Sequence, residues 1–178
     1  MLDCRVPRPL NRAELEQWAD RLAETAGDMR RERGESSPTA ILVVNRVPIA
    51  IDVILQSTED KLTLRRLFEI VARGGAEACA LVAEGWQAGG TPRKLARALQ
   101  HANEGGSLAE LPGRREVLFV HAVSPAGEAV RVFAIGKGGR LRRRPGDDGQ
   151  PFVNRFLSEL PWAMKRLTER RKRRNPPD

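Results

Sequence analysis

The chain has 178 residues, two cysteines and a formal net charge of +8, a length that buries a full core in one domain without disulfides or a structural metal. Its 40% hydrophobic and 30% charged residues fit a folded body with polar appendages and exclude disorder of the whole chain. The charge is concentrated: residues 1–136 hold 18 Lys and Arg against 18 Asp and Glu, while residues 137–178 hold 13 against 5, so the basicity reads as a tether for polyanions on a neutral body.

The first residues, MLDCRVPRPLNRAE, lack the basic region, apolar run and small-residue cleavage site of a secretory signal. No apolar stretch approaches the roughly 18 residues of a membrane span, so a soluble cytoplasmic protein without a membrane partner is expected. Arg-heavy usage with no Tyr points to a GC-rich bacterial genome. Asn11 followed by Glu14 forms a capping pair, and Leu15, Trp18, Leu22, Ala26 and Met29 then recur at helical spacing up to the Arg-rich stretch before Gly34. Residues 40–45 and 49–55 are β-branched runs, read as two strands joined by a short turn at Arg46 to Pro48, with Pro48 near that turn or on an edge. Asp52 interrupts the second run and reads as a solvent-facing strand position.

Ser57 with Asp60 begins a second helix, whose Leu64, Leu67, Phe68 and Val71 share one face before Gly74 and Gly75. Residues 76–84 form a glycine-bounded apolar run, read as a buried central strand. Residues 87–113 break the rhythm with QAGGTP, ANEGGS and LPG, and enclose one short helix that Thr91 caps and Pro92 opens. Two further strands, 115–123 and 129–135, flank a hairpin loop at Ser124 to Glu128. Residues 136–150 are polar and Gly-rich. Phe152, Phe156, Leu157 and Leu160 then mark a last helix that restarts at Pro161 and runs into a basic end.

The reading is an α+β domain over residues 1–161, with an insertion at 87–113 and a basic extension at 162–178. Its order, α-β-β-α-β-β-β-α, builds a mostly antiparallel sheet of about five strands with helices packed on it. That element order resembles roadblock and profilin-like domains and lies near that of some PAS and GAF sensor domains. The resemblance, which is of order alone, implies association as a homodimer through a sheet edge or a helix.

Catalytic signatures are sparse. There is no GxSxG elbow, and GKGGRLRRR lacks the spacing of a phosphate loop. Cys4, Cys79, His101 and His121 show no zinc-ligand spacing, so neither metal nor cofactor is expected. His121 alternates with Val117, Phe119 and Val123, which places it toward the core. If strands 76–84 and 115–123 are antiparallel neighbours, Glu84 and Trp86 meet Arg115 and Glu116 at one rim. That rim is either a ligand or active site with an indole wall, or a cross-strand pairing of Glu84 with Arg114 or Arg115.

The cations of Arg140, Arg142, Arg143 and Arg144, with Lys165, Arg166, Arg170, Arg171, Lys172, Arg173 and Arg174, could neutralise phosphates without reading sequence. The leading expectation is a non-enzymatic interaction module, its partner a protein or a second copy. Non-specific nucleic-acid binding through the basic segments and a ligand sensor or enzyme at the Glu84 rim are the alternatives.

Overall fold

The computed structural model describes residues 10–89 and 91–143. Three helices and six strands follow in the order α1 (Arg12–Arg33), β1 (Thr39–Val44), β2 (Val47–Asp52), α2 (Thr58–Gly74), β3 (Ala78–Gln87), α3 (Pro92–Asn103), β4 (Arg115–Ser124), β5 (Gly127–Ile135) and β6 (Leu141–Arg143). The strands form one sheet in the order β2-β1-β3-β4-β5-β6, with every neighbouring pair antiparallel. The α+β architecture and the element order are as the sequence predicts up to β5. The sheet gains a sixth strand from the Gly-rich segment expected to be irregular, and the predicted last helix lies outside the described residues.

Both capping pairs form complete boxes. Asn11 Oδ1 accepts the Glu14 N–H at 2.9 Å while Glu14 accepts the Asn11 N–H, and Ser57 with Asp60 does the same for α2. Each box satisfies two of the amides that a helix start otherwise leaves unpaired. Gly34 ends α1 with φ +83°, a left-handed conformation in which its N–H reaches the Arg30 carbonyl.

The sheet is covered on both faces, which explains why β1, β3 and β4 read as apolar runs without alternation. On one face α1 lays Leu15, Ala19, Ala23 and Ala26 on Ile41, Val43, Ala78, Ala80, Val82, Leu118, Val120 and Ala122. Small residues dominate this seam, so the helix approaches the sheet closely. A Cβ at Gly27 would already press on Leu141 Cδ1 at 3.1 Å. On the other face Leu64, Phe68 and Ala72 of α2 pack on Ala40, Leu42, Cys79, Leu81 and Ala83, with Val117, Phe119, Val123, Val130 and Val132 completing that core.

The β1–β2 connection is tighter than the sequence reading. Val44 pairs with Val47, so Asn45 and Arg46 alone make the turn, with φ +51° and +66°, the geometry of a two-residue hairpin. Pro48 therefore sits within β2, opposite Val43. It is tolerated there because β2 is an edge strand. The β4–β5 loop also shortens to Pro125 and Ala126.

Candidate functional site

β3 and β4 are antiparallel neighbours, with Trp86 opposite Glu116 and Gln87 opposite Arg115. The four rim residues nevertheless do not converge. Directly opposed side chains share a face and successive ones alternate, so Glu84, Trp86 and Glu116 lie on the α1 face, with Val82 and Leu118. Arg115 lies on the α2 face, where its Nε donates to Gln87 Oε1 at 2.8 Å.

Glu84 is not paired across the strands as anticipated. It forms an ion pair with Arg30 in the last turn of α1 and accepts the Ser36 N–H at 2.8 Å. This carboxylate thus ties the end of α1 and the following loop to β3. Arg114 instead stands over the Trp86 ring, 5.1 Å from its centroid, a cation–π distance. α1 has ended by this point, and Trp86 remains 40% exposed. Beyond it, α3 folds back on a 3-10 turn at Leu108–Glu110, where His101 Nε2 lies 3.2 Å from the Ser107 carbonyl and 3.0 Å from Glu110 Oε2. Gly106 fits only because it lacks a Cβ, whose place the His101 ring occupies.

The phosphate-binding candidates divide. The Arg140 carbonyl accepts the Gly136 N–H at 2.8 Å, closing the turn that admits β6. Arg142 is exposed, and Arg143, on the α1 face, lies 3.7 Å from Asp20 Oδ1. Arg144, Lys165, Arg166, Arg170, Arg171, Lys172, Arg173 and Arg174 lie outside the described residues, as does Cys4.

Buried and half-buried polar groups tie these elements to one another. Arg131 of β5 donates through Nε to Asp20 Oδ1 at 2.6 Å and through Nη2 to Oδ2 at 3.2 Å, and these hydrogen bonds hold the Asp20 carboxyl below its usual range. Glu77, almost fully buried, accepts the Arg46 N–H through Oε1 at 2.9 Å, with Oε2 at 3.5 Å from the Arg46 Nε. His121 is 2% exposed and donates through Nε2 to Glu128 Oε2 at 2.9 Å, which lowers the Glu128 carboxyl. Its ring faces the core, as its alternation predicts. Burial pushes the Cys79 thiol up to about 12, so no thiolate is available there.

Among the described residues, no group of three or more His, Cys, Asp or Glu is placed to hold a metal ion, and no helix is long and apolar enough to cross a membrane.

The most conspicuous surface is one the sequence reading mentioned only as a sheet edge. All six residues of β2 are exposed, with Val47, Ile49 and Ile51 at 59%, 46% and 37%. These three oppose Val44, Leu42 and Ala40 and so share the α2 face. Val53 continues the parity, its N–H donating to the Pro38 carbonyl at 2.9 Å. Odd-numbered residues of β2 therefore bond to β1, and even-numbered ones turn their backbone outward. No protein-family model, curated protein or solved structure matches the chain.

Proposed function

We propose that the protein is an interaction module that joins two copies of itself edge to edge through β2. The observation that carries this is a wholly exposed edge strand bearing three aliphatic side chains at alternate positions. Soluble proteins ordinarily blunt such an edge with charge or cover it, and an apolar stripe left open marks a contact surface.

Three features favour a second copy as the occupant. Ala50 and Asp52 turn both N–H and C=O outward, while Pro48, also outward-facing, offers a carbonyl and has no N–H to strand. Antiparallel pairing of β2 with itself sets the Val47, Ile49 and Ile51 stripes against each other on one face and extends the sheet to twice its strands. Arg46, which lies 3.5 Å from Glu14 and Glu77 of its own chain, stands at one end of the strand and Asp52 at the other, so antiparallel self-pairing sets opposite charges at each end of the seam. A parallel arrangement would set like charges together.

Sedimentation equilibrium of the full chain tests this reading. The expected mass is twice that of one chain. Ala50→Pro removes an outward amide that β1 does not use and should return the single-chain mass with an unchanged far-UV spectrum. Ile49→Lys, which leaves the backbone intact, should do the same. A single-chain mass for the native protein at high concentration, or a dimer that survives both substitutions, would overturn it.

A further inference from the structure

We infer that the end of the sheet around Trp86 is a binding site for single-stranded nucleic acid, the indole stacking on an unpaired base while the inserted arm contacts phosphates. This site is distinct from the β2 edge, and the inference does not rest on the dimer.

The geometry supplies both parts that such a site needs. Trp86 lies on the α1 face two residues past Glu84, which Arg30 in the last turn of α1 pairs with. The indole, no longer covered by α1, is 40% exposed. Arg114 stands over its ring, so the aromatic surface and a cation come as one unit, in the pairing that favours stacked bases beside phosphates.

The arm rooted on this pair is cationic. α3, with the sequence PRKLARALQHAN, contains no acidic residue, and Arg93, Lys94 and Arg97 are all exposed. Their spacing of i, i+1 and i+4 gathers them on one side of the helix. Ala98, four residues after Lys94 and next to Arg97, is buried, which anchors the helix at the margin of this basic side. At the same end of the sheet, Arg31, which pairs with Asp28, and Arg33 occupy the last turn of α1 and are exposed. Of the carboxylates on this face, Glu84 is paired with Arg30, and Glu116 stands opposite Trp86.

An exposed ring selects single strands, because bases in a duplex keep their faces stacked on each other. Arginines and lysines alone would not discriminate between the two. This is the difference between the present site and the basic segments of the C-terminal quarter.

Fluorescence anisotropy of the full chain with a labelled oligothymidylate of about 20 nucleotides, and with a duplex of equal length, provides the test. Single strand should bind more tightly than duplex. Trp86→Ala should weaken single-strand binding about tenfold and leave duplex binding unchanged, while Trp86→Phe retains most of the affinity. Arg93→Ala, Lys94→Ala and Arg97→Ala combined should flatten the dependence of log affinity on log salt by roughly 2. Ala50→Pro should bind with the native affinity per chain. Equal binding by the native protein and a folded Trp86→Ala, duplex binding as tight as single-strand binding, or no binding at low salt would each overturn the inference.

Discussion

Replacing Glu77 with alanine should destabilise the protein by about 2–3 kcal/mol, most of it through a single backbone amide. Its Oε1 is the acceptor for the Arg46 N–H at 2.9 Å, in a turn whose two central residues both have positive φ. Leaving that amide without an acceptor costs about 1–3 kcal/mol. The contact of Oε2 with the Arg46 Nε, at 3.5 Å, adds less than about 1 kcal/mol, because the guanidinium is 51% exposed and screened by water.

For a chain of this length the total corresponds to a fall in Tm of about 5–10 °C. Urea unfolding at constant m-value measures it. Glu77→Gln keeps an acceptor oxygen and should recover more than half of the loss. Arg46→Ala keeps the turn amide and should cost less than either. If Glu77→Gln were as damaging as Glu77→Ala, the turn amide would not be what the carboxylate serves. If Glu77→Ala were neutral, the cost of burying the carboxylate would already cancel what it holds. Because this turn leads directly into β2, Glu77→Ala should also speed amide exchange along the proposed interface.

Two further outcomes follow from the titrating groups. Asp20 has a lower carboxyl pKa in the folded state than in the unfolded chain, so its stabilisation is present above about pH 4 and is lost as pH falls through the folded value. Asp20→Asn should therefore cost about 1 kcal/mol or less at pH 7, given that the side chain is 39% exposed. The gap from the native protein in urea midpoint should close near pH 2, and a gap that persists there would refute the assignment. In a Cys4→Ser background, Cys79, with its thiol pushed up to about 12, should react with a thiol reagent only as fast as the protein unfolds. Rapid labelling of the native protein would show that the α2 face is open.

Much of the fold was legible because the local signals agree with one another. Asn11 and Ser57 mark helix starts that the backbone adopts in full, and the β-branched runs became strands within two or three residues of their predicted limits. Where tertiary context decided, the sequence was silent. Leu141 to Arg143 is too polar and short to announce a strand, and it forms one because Leu141 fills space beside Gly27 and the β5 edge accepts a partner. Glu84 pairs with Arg30, 54 positions away, and no periodicity reveals such a contact.

The rim suffered from a different omission. Arg115 and Glu116 are consecutive in a strand, so they had to point to opposite faces. That alternation was available from the sequence and would have separated Arg115 from Trp86. The exposure of β2 was harder to foresee. Its aliphatic residues resemble those of β1, and only the strand order makes it an edge.

The last rung of the β3–β4 ladder joins Gln87 to Arg115, and a Cβ on Gly89 would lie only 3.9 Å from the Gly113 carbonyl oxygen. The chain thus leaves the sheet and returns to it at nearly the same place. Everything between those glycines is a detour in connectivity, and a two-residue turn could close β3 onto β4 in its stead. The domain could in this sense lose or exchange its arm without renegotiating its core, as an instrument keeps its handle when the head is changed.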